Sequence, residues 1–109
     1  MDGLKLRSRQ WIVNQKGEMV MGEGRKRILE TIEETGSINQ AAKRLKMSYK
    51  GVWSKIKATE THLDARLVRA EGKRGSYVTE EGKQLLEKYR RLKEECLRED
   101  DRIFKTLFE

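Results

Sequence analysis

Proline is absent from the 109 residues, and cysteine and histidine occur once each, as Cys96 and His62. A single thiol excludes an intramolecular disulfide and fits a reducing, cytoplasmic compartment. One His and one Cys cannot assemble a zinc set of ordinary spacing, and no base stands near a nucleophile in a triad-like pattern. The expectation is a protein that is not an enzyme and needs no metal or cofactor. Long apolar runs are missing too. The longest, Trp11-Ile12-Val13 and Met19-Val20-Met21, can neither span a bilayer nor serve as a signal-peptide apolar region. Apolar residues make up 36 % of the chain, enough for one small core.

What is abundant is charge. Charged residues reach 39 %, with 25 Lys and Arg against 18 Asp and Glu, a net +7. The excess is uneven: residues 1–78 carry 17 cations and 9 acids, whereas residues 79–109 carry 8 and 9. This asymmetry predicts a basic module over 1–78 that meets a polyanion, followed by a nearly neutral tail with another task, such as pairing with itself.

Residues 4–13 alternate around Leu4 and Leu6 and end in Trp11 and Val13, and residues 18–21 form a second apolar run. With turn formers over 14–17 between them, they predict a β-hairpin. Gly22-Glu23-Gly24 lacks the third glycine of a dinucleotide fingerprint, since position 27 is Arg, and so reads as a strand-to-helix joint. Ile28, Leu29 and Ile32 fall at helical spacing in a helix over 25–35, which Gly36 can end in a left-handed cap. Ser37 and Gln40 form a capping-box pattern before a helix bearing Ile38, Ala41, Ala42 and Leu45. Lys46-Met47 makes a turn. Ser48 then caps a third helix running to about Leu63, with Val52, Ile56 and Leu63 inward and Trp53 beside them in the core. Short strands over 66–70 and 76–78, joined by the basic loop 71–75, form a wing. Thr79 caps a last helix with Glu80 and Glu81 in its first turn. It runs on for about 25–30 residues, roughly 40 Å at 1.5 Å per residue, more than so small a domain needs.

The segment Ser37–Lys57 has the features of a helix-turn-helix: small Ala42 at the crossing and apolar locks at Ala41, Leu45, Met47, Val52 and Ile56. Lys46 stands where many such motifs carry Gly. An ordinary helical hairpin shares this spacing; the outer face of the second helix separates the two. At about 100° per residue, Lys50, Ser54, Lys57 and Thr61 share one side, which carries cations and hydroxyls but no acid. Lys reaches guanine edges or phosphates, and Ser and Thr contact base or backbone. Ser48 can offer a helix N-terminus to a phosphate. Tyr49 either touches the DNA or closes the core. Lys73 and Arg74 on the wing are expected on or in the minor groove.

The stretch GSINQAAKRLKMSYKGVW closely resembles the DNA-binding domain of the ModE family of molybdate-responsive regulators. Its marks are Gly36-Ser37, Ala41-Ala42-Lys43, Met47-Ser48-Tyr49-Lys50 and Trp53. Trp11–Arg25 is similar to the start of short ModE-like proteins, and Val78-Thr79-Glu80-Glu81-Gly82 to the entry into the linker helix of LysR-like domains. The resemblance covers about residues 9–95. It implies a mainly α fold with a small β component: a winged helix-turn-helix with an N-terminal hairpin and a long C-terminal linker or dimerisation helix. The family's wing is often longer and richer in Gly. Full-length relatives carry molybdate-binding domains after the linker helix; none is expected in this chain, so the resemblance implies a DNA-binding fold and a regulatory role but does not imply oxyanion sensing by this chain, which either a separate partner supplies or no partner does.

Two units follow: 1–78 as the DNA-binding domain and 79–109 as the dimerisation helix. Leu85, Tyr89, Leu92 and Cys96 form a heptad-like stripe that resumes at Ile103, Phe104 and Leu107. The expected function is a homodimeric regulator that binds duplex DNA through helix 48–62 and wing 71–75. The competing reading is a winged-helix module that docks an acidic protein.

Overall fold

The structure, a computed structural model, describes residues 2–109. Strands β1 (Ile12–Val13) and β2 (Met19–Met21) pair antiparallel, with an irregular register between Ile12 and Val13. Helices α1 (Glu23–Thr35), α2 (Ile38–Leu45) and α3 (Tyr49–Leu63) follow. Then come β3 (Val68–Ala70), a 3₁₀ turn over Gly72–Arg74, β4 (Ser76–Val78) and α4 (Glu80–Phe108). β3 and β4 form a separate antiparallel pair, with Val68 opposite Val78.

The caps lie where the local chemistry puts them. Gly36 takes φ 70°, and its N–H donates to the Ile32 carbonyl. The hydroxyls of Ser37, Ser48 and Thr79 accept from the amides of Gln40, Gly51 and Gly82, which satisfies donors that a helix start leaves free. Lys46 adopts φ 57° and ψ 42° in the turn between α2 and α3. This is the left-handed position that favours glycine, held here by a lysine whose N–H caps the end of α2. Gly22 caps α1, and Gly24 lies in its first turn, so the two glycines are the expected joint.

Val20, Met21, Ile28, Leu29, Ile32, Ile38, Ala41, Ala42, Val52 and Ile56 build one core, completed by Leu67, Val68, Val78, Leu86 and Tyr89. Leu86 and Tyr89 come from α4. The break at residue 79 is thus one of charge, while the packing continues through the first three turns of α4. Gly82 is needed there, because a Cβ would sit 2.6 Å from both the Leu67 carbonyl oxygen and Val78 Cγ1. Arg90 to Glu30 at 2.6 Å and Lys93 to Glu23 at 2.8 Å latch α4 onto α1.

Three expectations need correction. Residues 4–11 are no strand; only Ile12–Val13 pair with β2, and the chain before them lies as an extended arm along α4. Leu63 is not an inward residue. It ends α3 at 37 % exposure, while Thr59 and Glu60 turn inward and Leu67 and Val68 fill the core instead. Tyr89 cannot serve a dimer stripe. It is 1 % exposed, and its hydroxyl donates to the Gln10 carbonyl at 2.8 Å.

The first hairpin is clasped to the end of α3. His62 Nδ1 stands 2.7 Å from the Met19 carbonyl oxygen and therefore donates to it. Its Nε2 lies 3.3 Å from the Glu18 carboxylate, and Asn14 donates to the His62 carbonyl.

Candidate nucleic-acid interface

The apolar side of α3, Val52 and Ile56, is buried against α1 and α2, so the residues half a turn away must face solvent. Lys50, Ser54, Lys57 and Thr61 are all exposed on that side. Ser48 is exposed at the start of the helix. Its oxygen accepts from Gly51 at 2.9 Å, which leaves its own proton free to donate. The Thr61 hydroxyl donates to the Lys57 carbonyl at 3.0 Å, and its oxygen can still accept. Tyr49 is 49 % exposed, so of its two expected roles the core-closing one is excluded. Trp53 packs against the core edge as expected, with the Lys57 ammonium 4.5 Å above its ring.

The cations on this surface are not equivalent. Among the described residues, Lys50, Lys73 and Arg74 pair with no carboxylate, whereas Lys57 lies 3.4 Å from Glu60. Glu60 is the residue that the sequence reading missed. Its other oxygen accepts from the amides of Leu67 at 2.7 Å and Val68 at 3.2 Å, and the residue is 9 % exposed. One buried carboxylate thus joins the exposed face of α3 to the first strand of the wing. No local signal reveals this, since the acid sits among exposed polar residues and its partners lie seven and eight positions on.

Lys73 and Arg74 stand exposed in the 3₁₀ turn at the wing tip. Tyr77 donates to Glu71 at 3.0 Å across the hairpin, and Glu71 N–H donates to the Gly75 carbonyl at 2.8 Å. The base of the wing is fixed by the Ser76 amide, which donates to the Gly36 carbonyl at 2.9 Å. Gly75 has φ 85°, and a Cβ there would collide with the same carbonyl oxygen. The wing therefore rests on the α1–α2 junction at one end and hangs from α3 through Glu60 at the other. No described residues gather three or more His, Cys, Asp or Glu side chains for a metal.

Of the expected pairing residues on α4, Leu85 is half-buried against its own core. Leu92, Ile103 and Leu107 are 41 %, 44 % and 72 % exposed, and Cys96 and Phe104 are partly so. The Phe104 and Phe108 rings stack with centroids 4.9 Å apart.

Comparison with known proteins agrees with this geometry. Residues 25–83 match the model of the bacterial regulatory helix-turn-helix proteins of the lysR family. The chain is 37 % identical over 93 residues to the molybdenum transport protein ModE of Azotobacter vinelandii, covering 82 % of this chain and 34 % of that protein. It therefore spans about a third of the length of that curated relative. It is similar to the crystallised CbnR DNA-binding domain in complex with DNA: TM-score 0.62, 29 % identity, 80 % of this chain and 99 % of that one. It is similar also to CbnR itself, a LysR family transcriptional regulator, with TM-score 0.60 and 30 % identity over 75 % of this chain and 28 % of that one.

Proposed function

Because the chain belongs to the LysR family of bacterial regulatory helix-turn-helix proteins, we propose that it regulates transcription by binding duplex DNA as a homodimer. The α3 face enters the major groove, and the wing lies beside it on the backbone or minor groove. The observation that carries this reading is the acid-free exposed row Lys50, Ser54, Lys57 and Thr61, flanked by the unpaired Lys73 and Arg74. A surface that docked an acidic protein would mix apolar groups or both signs of charge; this row offers only cations and hydroxyls.

The homodimer reading rests on α4. Beyond Lys93 the helix leaves its own domain, and Leu92, Cys96, Ile103 and Leu107 share one side of it. Residues 80–93 hold 5 cations and 3 acids, and residues 94–109 hold 3 and 6, so two copies of α4 attract when they run antiparallel. A two-fold pair would present two α3 helices to successive major grooves, about 34 Å apart.

Two measurements test this. Fluorescence anisotropy with duplexes recovered by selection for bound sequences should show affinity falling steeply with salt, since each neutralised phosphate releases counterions. Lys50→Ala and Lys57→Ala should each weaken binding and lower the salt slope by about one; wild-type binding by both overturns the surface assignment. Sedimentation equilibrium should give a dimer at micromolar concentration, and a monomer refutes the pairing.

A further inference from the structure

Helix α3 has two flanks, and the wing accounts for one of them. Lys57 and Glu60 turn toward the wing, whereas Lys55, Thr59 and His62 turn toward α1 and the first hairpin. A helix about 10–12 Å across fills a major groove about 12 Å wide, so phosphates run along both of its sides. On the second flank stands Arg25, from the first turn of α1. Its Nε donates to the Thr59 hydroxyl at 3.2 Å, and Thr59 is 1 % exposed. The Arg25 side chain is half-buried, burial lowers its pKa, and no acid raises it. A charge taken out of water is costly unless an opposite charge meets it. Here a neutral hydroxyl holds one N–H, and among the described residues the two terminal nitrogens donate to nothing.

Lys55 joins it from α3. Arg25 and Lys55 border one cavity of about 10 Å³ between the two helices, lined also by Ile28, Leu29 and Ile56. A space so small and apolar takes only their stems, so both charged heads lie beyond it. Lys55 is exposed and, among the described residues, pairs with no acid. On its other side Arg25 lines an open cleft with Arg9 and Arg27. The acids of this region are already answered: Glu23 by Lys26 and Lys93, Glu30 by Arg90, and Glu18 by Asn14 and His62. Two elements thus bring unpaired cations together on the flank opposite the wing.

We propose that Arg25 and Lys55 form a phosphate seat for the DNA backbone on the flank of α3 opposite the wing. This inference rests on the DNA-binding reading. The terminal fork of Arg25 takes two phosphate oxygens, and Lys55 adds a point charge beside it. Because Nε is committed to Thr59, the plane of the fork is set before DNA arrives. Contacts to phosphate fix register and orientation and carry no base information. The seat therefore governs how α3 lies in the groove, and the outer row of α3 chooses the sequence.

The test measures duplex binding by fluorescence anisotropy for the full chain, Arg25→Gln, Lys55→Gln and a charge-matched control, Lys88→Gln, at an exposed position of α4. Arg25→Gln and Lys55→Gln should each weaken binding about tenfold, on selected and unrelated duplexes alike, and lower the salt slope by about one, while the control keeps both. Arg25→Gln should leave Tm unchanged or raise it, since a half-buried charge without an acid is removed; a fall in Tm that matches the lost affinity makes Arg25 a strut of the fold and overturns the seat. In duplexes carrying a neutral methylphosphonate at one position at a time, one position should cost the wild type about tenfold and cost Arg25→Gln nothing. Additive costs at every position overturn the seat, as does an equal loss in the Lys88 control. Equal binding by the wild type and both seat variants overturns it while the DNA reading stands, and a wild type that binds no duplex overturns that reading itself. If inorganic phosphate alone protects the wild type from unfolding but not Arg25→Gln, and both bind duplex equally, the seat takes a free anion and the proposal fails.

Discussion

Replacing Glu60 separates the two services that its carboxylate performs. One oxygen accepts two amides from the start of β3, and the other draws Lys57. Glu60→Ala strands the Leu67 and Val68 amides, both on buried residues. An unsatisfied buried donor costs about 1–3 kcal/mol, and breaking a buried charged group away from its partners costs about 3–5 kcal/mol. A loss of about 3–4 kcal/mol is expected, which for a chain of this size lowers Tm by roughly 12–16 °C. Glu60→Gln keeps an oxygen for the amides and gives up only charge assistance, so its loss should be about 1 kcal/mol. Urea denaturation gives both values, and hydrogen exchange at Leu67 and Val68 places the loss in β3. In DNA binding the Gln variant should match or exceed the wild type, because Lys57 is released and a negative charge leaves the interface. If Ala and Gln lose equal stability, the amide pairing is not what Glu60 contributes. If Gln weakens DNA binding, Lys57 works through its ion pair and not against it.

Two further outcomes follow from the same geometry. Gly75→Ala places a methyl group against the Gly36 carbonyl at a backbone conformation close to glycine's own, φ 85° and ψ −152°. A cost of about 2–3 kcal/mol is expected, with DNA affinity lost beyond what the fall in stability explains; calorimetry and anisotropy on the same sample check this, and an unperturbed wing refutes it. Glu23 is held below its ordinary pKa of 4.5, first by the hydrogen bond from Lys93. Its contribution to stability is therefore complete above about pH 4.5 and is lost as the pH falls through the lowered value. Glu23→Gln should accordingly show a smaller drop in Tm than the wild type between about pH 5 and pH 3, and parallel profiles would show that the α1–α4 latch does not couple to folding.

How much of this was legible in the sequence depended on how local the physics is. The caps at Gly36, Ser37, Ser48 and Thr79 are decided within four residues, and all four form; the capping box read at Ser37 forms only in half, because the Ser37 amide donates to the Thr35 hydroxyl and not to the Gln40 side chain. The exposure of Lys50, Ser54, Lys57 and Thr61 follows from a single helical period and the burial of Val52 and Ile56. Readings failed where the deciding partner lies far along the chain. The alternation of Leu4 and Leu6 has the period of a strand, but period two says only that alternate residues face one way. Their neighbour is α4, some ninety residues on, through Ser8 and Asp100. The heptad-like stripe of α4 has the same ambiguity. Spacing groups Tyr89 with Leu85 and Leu92, yet cannot say that Tyr89 meets its own core while Leu92 faces outward. Leu63 and Glu60 changed places for a related reason: Asp64 turns left-handed at φ 56°, which aims the chain so that β3 meets Glu60.

These contacts make the exposed face of α3, the wing and α4 one mechanical unit. The wing is tied to α3 by Glu60 and to the α1–α2 junction by Ser76, and α1 is tied to α4 by Glu30–Arg90 and Glu23–Lys93. In the proposed dimer the spacing of the two α3 helices would therefore be set by packing around Leu86 and Tyr89, both about 1 % exposed, rather than by a flexible hinge. Half-exposed ion pairs contribute little alone and fade with salt, whereas buried apolar contacts do not. Raising the ionic strength should consequently strip phosphates from the α3 surface long before it alters the half-site spacing. Operators with altered spacing would then stay excluded at every salt concentration at which binding is measurable. A protein whose preferred spacing drifts with salt would show that the latch, and not the core, sets the geometry.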